Sequence, residues 1–337
     1  MTESKGTLRA SMLQIAIALG AVYVIWGSTF LAIRYAIETI PPLLMAGARY
    51  VTAGLVLYTW SRLRGAARPD RGHWRSAALL GASLLLVGNG GVVWAEQKVS
   101  SGLVALMICT EPLWIALLVW LRSRREKAGR RPDLRTIAGL ALGFVGLVIL
   151  VRPGSPSGGI DPIRAGVVMV ASLSWAWGSL HGQRARLPES PLLSTGMQML
   201  CGGGFQLLAG TALGEPARFA IAQVSTRSLL ALGYLIVFGA IVAFTAYVWL
   251  MRVAPPVLVS TYAYVNPLVA VFLGWAIAGE PITAGTLMAA AVILAGVALI
   301  SSSQGKSVRG EKGERKQEPE VATEIQEEVE EEVCATR

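Results

Sequence analysis

Two ionisable side chains stand alone inside long uncharged stretches. Arg49 is the only charge between Glu38 and Arg62, and Glu111 the only one between Lys98 and Arg122. Within a bilayer such a group costs at least ~2.5–3.5 kcal/mol, so by default it is paired, faces water or performs work. Two readings fit Arg49: a cavity cation that holds a carboxylate or other anionic group, or one half of a structural pair fastening helices together. For Glu111 the chemistry on offer is proton carriage. A carboxylic acid withdrawn from water favours its uncharged form, and a group protonated in one state and released in another can couple proton entry to solute exit. The alternative is a permanent ion pair with Arg49.

Around these two stand polar and aromatic residues suited to lining a cavity: Trp26, Asn89, Trp177, Gln198, Tyr262, Tyr264 and Asn266. Aromatic rings with one polar handle suit amphipathic solutes; each alone reads equally well as packing or as an interfacial belt. Pro112 and Pro267 directly follow Glu111 and Asn266. A proline inside a helix removes one backbone bond and can free a carbonyl toward a cavity. His181, near the end of an apolar stretch, is either a pH sensor or an interfacial histidine. The sequence carries no H-E-x-x-H, G-x-S-x-G or phosphate-loop pattern. Its three cysteines, Cys109, Cys201 and Cys334, form no disulfide or metal-ligand spacing. The expectation is no enzyme, no metal and no cofactor, with energy drawn from a solute or ion gradient.

The elements holding these residues follow from composition. At 53% hydrophobic and 15% charged, the chain is far below the roughly one-quarter charge of soluble domains. A membrane helix needs about 20 apolar residues. Ten spans are expected, near 12–33, 43–61, 77–95, 102–121, 136–151, 163–182, 192–213, 228–250, 257–278 and 283–301, punctuated by Pro41-Pro42, Pro132, Pro153-Gly154, Pro191, Pro255-Pro256 and Pro281. The basic flank at residues 1–11 resembles that of a signal peptide. The apolar run behind it is too long and lacks a small-residue cleavage site, so it reads as a retained first helix. The N-terminus, even-numbered connectors and proximal tail hold 22 Lys and Arg against six in the odd-numbered connectors. That asymmetry predicts a plasma (inner) membrane protein with both termini cytoplasmic. It also explains the net charge of +9 without nucleic acid. Residues 303–337 are Glu-rich and nearly free of aromatics, the composition of a disordered cytoplasmic tail.

The halves of the chain match in order. Trp26-Gly27-Ser28 answers Trp177-Gly178-Ser179, Pro42-Leu43-Leu44 answers Pro191-Leu192-Leu193, and Trp94 answers Trp249. Glu111-Pro112-Leu113 answers Asn266-Pro267-Leu268, while Thr136 and Gly146 answer Thr286 and Gly296. Repeats of five spans, over residues 12–151 and 163–301, must enter the membrane from opposite sides. The fold class expected is therefore an all-α polytopic membrane protein, ten transmembrane helices as two inverted five-helix repeats. Such repeats give secondary transporters two near-equivalent states with the site at the repeat interface.

These landmarks resemble the EamA-type members of the drug/metabolite transporter superfamily, and especially the exporter-like subgroup. The resemblance rests on Ile25-Trp26-Gly27-Ser28-Thr29, Pro41-Pro42-Leu43 to Arg49, Val87-Gly88-Asn89-Gly90 with Ala95-Glu96, and Thr261-Tyr262-Ala263-Tyr264-Val265-Asn266-Pro267. It implies a central cavity and efflux of amino acids, metabolites or toxic compounds. Gly279-Glu280 follows the fourth span of the second half as the family pattern has it; in the first half the basic stretch Arg122–Arg131 stands there instead. The partners expected are a small-molecule solute and the lipid bilayer. Gly139 and Gly143 allow close helix approach, for scaffold packing or a homodimer. Lipid or lipid-precursor translocation, and a scaffold recruiting partners through the acidic tail, are the competing functions.

Overall fold

The computed structural model describes residues 12–125, 134–151, 161–254, 259, 262–296 and 298–299. The N-terminus at 1–11 and the acidic tail at 303–337 lie outside them, as does Cys334. All regular structure among the described residues is helical: two short 3-10 turns at Glu215–Arg218 and Ile221–Gln223, and ten longer helices. They are α1 (Met12–Ala36), α2 (Pro42–Leu63), α3 (Arg71–Ala95), α4 (Ser101–Arg122) and α5 (Leu134–Val151). The second series is α6 (Pro162–Gly182), α7 (Pro191–Ala212), α8 (Thr226–Leu250), α9 (Tyr262–Ala278) and α10 (Ala284–Gly296). Helices α1, α3, α4, α6 and α8 are long and apolar enough to cross a membrane, and α10 is a shorter apolar helix. A helix meets the bilayer's demand that backbone groups be satisfied internally.

The helix starts follow from local sequence. Pro42, Pro162 and Pro191 occupy the first turns of α2, α6 and α7, where a missing N–H costs nothing. Asp161 accepts from Ile163 N at 3.0 Å and Ser225 from Ser228 N at 3.1 Å, capping α6 and α8. Helix α3 starts at Arg71, earlier than hydropathy places it, because Asp70 accepts from His73 N at 2.8 Å while His73 Nδ1 accepts from Asp70 N at 3.2 Å.

The most extensive helix pair is α2 with α7, the equivalent helices of the two halves. They cross antiparallel on glycines. A Cβ at Gly47 would lie 3.0 Å from Gly203 O, and one at Gly54 would lie 2.9 Å from Gly196 O. Equivalent helices running in opposite directions are the geometry of an inverted repeat. Helices α5 and α10 form a second glycine seam, a Cβ at Gly296 lying 2.7 Å from Gly139 O and 2.8 Å from Gly143 N. The Gly139/Gly143 seam is thus filled within the chain.

Each face of the bundle carries a tie between halves. On the face of the even connectors, Arg186 Nη2 donates to Asp70 Oδ2 at 2.6 Å. On the other face, Glu215 accepts from Leu43 N (3.2 Å) and Leu44 N (2.9 Å), capping α2. There too, Glu280 accepts from Arg34 Nη1 at 2.8 Å, from Ser101 N and Oγ at 2.9 Å each, and from Gly102 N at 3.2 Å.

Asp70 lends the even face a pH dependence. The His73 backbone hydrogen bond, opposed by partial desolvation and aided by Arg186, holds its carboxyl below the usual carboxylate range. A folded value below the unfolded one, about 3.9, means that its contribution to stability is present above about pH 4 and lost as pH falls through the lowered value. Thermal unfolding in detergent should therefore show a steeper acid loss in the wild type than in Asp70→Asn, whose amide caps without titrating. Identical acid slopes would refute this.

Candidate functional site

Helix α4 breaks in its middle. Its first segment ends at Ile108, Cys109 and Thr110 form a turn, and Glu111 opens the second. Pro112 sits at the second position of that new segment, where its missing N–H does no harm. The break leaves Glu111 in the first turn of a half-helix, at the positive end of the local dipole. Across the bundle, α9 carries its own interior proline, Pro267. The preceding Asn266 amide donates to Tyr262 O (3.3 Å) and Tyr23 O (3.2 Å), so the asparagine ties α9 to α1 beside the weakened turn.

Arg49 reaches the same space from α2. It is 5% exposed, and its Nε and Nη1 are buried without a hydrogen-bond partner. Its guanidinium carbon stands 4.7 Å from the centroid of the Tyr50 ring. Gly239 of α8 makes room for it, since a Cβ there would lie 3.1 Å from Nη2. Among the described residues no ion pair joins Arg49 to Glu111. The permanent-pair alternative is not the arrangement in this structure.

Between them lies a cavity of 320 Å³ lined by α1–α4 and α6–α9. Its aromatic wall is a cluster around Trp26, whose ring centroid is 5.2 Å from Tyr247, 5.3 Å from Tyr262 and 6.3 Å from Phe244. Trp26 Nε1 donates to Gly239 O at 3.2 Å. Cavity walls on α3 and α8 are π-helical, over Gly81–Asn89 and Leu235–Val242. A π turn leaves a carbonyl less well served by its own helix, and side chains from neighbouring helices complete several. Ser174 Oγ donates to Ser83 O and Gln206 Nε2 to Leu85 O, both at 2.8 Å, as Trp26 does to Gly239 O. Equivalent helices of the two halves carry equivalent π segments.

Of the residues singled out from sequence, Trp26, Arg49, Asn89, Glu111, Tyr262 and Asn266 line this cavity. Asn89 Oδ1 is buried there without a partner. Trp177 and Gln198 do not. Trp177 is 40% exposed and stacks on His181 at 5.0 Å, while Gln198 donates to Ser194 Oγ at 3.1 Å. Helix phase explains Trp177: two residues along an α-helix turn a side chain by about 200°, and the wall position falls on Trp175. Trp177 matches Trp26 in the repeat but occupies the opposite face of its helix. The side chain of Tyr264 lies outside the described residues. Sequence reasoning missed Tyr50, Trp175, Tyr247, Phe244, Ser172 and Ser179, all lining residues. Phe244 and Tyr247 precede Trp249 three residues apart, and that i, i+3 aromatic spacing on one helix face was the signal that could have found them.

Residues 13–152 and again 164–302 match the EamA-like transporter family. The chain belongs to that family. Among relatives of this EamA-like protein, the uncharacterized inner membrane transporter YedA of Escherichia coli K12 is 38% identical over 288 residues, covering 84% of this chain and 89% of YedA. The WAT1-related protein At3g02690, chloroplastic, of Arabidopsis thaliana is 25% identical over 287 residues, 83% of this chain and 67% of its own length. A solved crystal structure aligns at a TM-score of 0.57 and 19% identity, covering 86% of the EamA-like chain and 96% of its own; at that identity it speaks for the fold. The family match establishes a multi-pass membrane protein of the transporter class.

Proposed function

We propose that this chain is a secondary-active transporter of the inner membrane that exports small, amino-acid-like metabolites or amphipathic drugs by alternating access, driven by protons. The observation that carries the reading is the Arg49 guanidinium, with Nε and Nη1 lacking hydrogen-bond partners, at an aromatic-lined cavity that also holds Glu111. Arg49 supplies a counter-charge for an anionic group, and the rings around Trp26 take the apolar part of the solute. Glu111, at the break in α4, exchanges a proton with the cavity, so that solute and proton occupy it in turn. The Lys/Arg asymmetry supports cytoplasmic termini, and YedA's description as an inner membrane protein supports the location.

Flux of a labelled panel of amino acids and cationic dyes through proteoliposomes, with and without an imposed pH gradient, tests this. At least one compound should move with the gradient, and Glu111→Gln should abolish gradient-driven movement while sparing solute exchange. Movement indifferent to the gradient would make the protein a uniporter or exchanger and return Glu111 to structure. A folded protein that moves nothing in the panel would shift attention to lipid translocation.

A further inference from the structure

A second acid, at the edge of the bundle, has no role in the cavity. Glu96 is the first residue beyond α3 and is 3% exposed, with both carboxylate oxygens buried and unpartnered. A buried carboxylate lacking both hydrogen bonds and a paired cation is among the costliest groups a protein can hold. Five residues on, Ser101 at the start of α4 is bound through N and Oγ by Glu280, which is already paired with Arg34. Glu280, and with it the compensating cation Arg34, is thus held at the start of α4, at the far end of the short connector that Glu96 opens. Burial first, and the Glu280 charge second, push the Glu96 carboxyl well above the usual carboxylate range, against weaker pulls from Arg34 and Arg49.

The charged groups around this point are Arg34 of α1, Arg49 of α2, Lys98 of its own connector, Asp161 and Arg164 at the start of α6, and Glu280 after α9. Arg164 is committed elsewhere, donating from Nη1 to Trp94 O at 2.8 Å with its guanidinium 4.4 Å from the Trp94 ring. Lys98, Val99 and Ser100 of the connector that follows Glu96 line a pocket of 290 Å³ on the odd-connector face, together with Arg34, Asp161 and Glu280.

We propose that Glu96 is a proton-binding site of the carrier, loaded while the Arg34–Glu280 ion pair shuts the odd-connector face and unloaded into the adjoining pocket when that pair parts. The unloading step breaks the carboxylic O–H bond, the proton passes to water in the pocket, and Arg34, freed from Glu280, becomes the counter-ion of the new carboxylate. Loading is the reverse. The inference rests on the alternating-access reading, because it needs the face to open, and it adds a gate-side proton site to the cavity-side Glu111.

The test is infrared titration of the full-length protein in liposomes, which reads protonated carboxyl groups whether or not any solute moves. At neutral pH the wild type should keep a carboxylic C=O band that Glu96→Gln removes and Glu111→Gln does not. A Glu96→Gln spectrum matching wild type through the titration would overturn the assignment. Glu280→Gln keeps Glu96 in place and removes its like-charged neighbour, so the midpoint of the Glu96 band should fall by about one pH unit or more. A midpoint that stays or rises would overturn the link to the ion pair. A proton-free Glu96 beside intact transport defeats this inference alone; a protonated Glu96 in a protein that transports nothing defeats the transporter reading alone.

Discussion

Arg49→Gln should yield a well-folded protein that has lost most of its affinity for anionic solutes. Hydrogen bonds to a charged group contribute about 1.5–3 kcal/mol, equivalent to about a tenfold to hundredfold rise in apparent KM. Transport of a neutral amphipathic compound through the same cavity should change far less, because the aromatic wall around Trp26 is untouched. Stability separates this from a structural role. Breaking a buried ion pair by removing one partner costs about 3–5 kcal/mol, whereas Arg49 has two nitrogens without partners and, among the described residues, no ion pair to break. The thermal midpoint of Arg49→Gln should accordingly hold or rise. A marked fall, with KM for anions unchanged, would make the arginine a fastener.

The second large effect is expected at the α2–α7 seam. Alanine at Gly54 would put its Cβ 2.8 Å from Leu200 N and 2.9 Å from Gly196 O. Both are backbone atoms, so neither can swing aside as a side chain would. The helices must separate, and overpacking of this kind costs about 1–3 kcal/mol. Gly204, next to the seam glycine Gly203 but turned about 100° from it on helix α7, is the internal control, since an added Cβ there meets nothing within 4 Å. Gly204→Ala should stabilise the helix by about 0.5–1 kcal/mol. Thermal unfolding of the two variants in detergent should move in opposite directions. If both substitutions stabilise, the two helices are not in the contact described.

Much of this architecture was legible because a membrane imposes a coarse grammar. Charge-free stretches must be helices, and paired landmarks such as Pro42 and Pro191 mark equivalent helix starts. Arg49 and Glu111 announced themselves as lone charges in such stretches. The rest depended on information that linear spacing does not carry. Trp177 matched Trp26 in the repeat, yet helical phase points it away from the cavity and brings Trp175 in. Glu96 and Glu280 sit at span ends, where acids are ordinary, and only folding reveals that each is buried. The break at Cys109–Thr110 was foreshadowed by Pro112; the π segments had no signature, since their glycine and leucine suit α geometry equally well.

Those π segments set an angular datum for everything that follows them. Each residue advances an α-helix by about 100°, so a widened stretch rotates all later side chains relative to a regular helix of the same sequence. In α8 the segment ends at Val242, and Phe244 and Tyr247, which come after it, face the cavity. In α3 it ends at Asn89, and Val92 and Glu96 come after it. Any tightening of one segment to α geometry would turn its helix end like a key and lengthen it, swinging Phe244 and Tyr247 in one half or Val92 and Glu96 in the other.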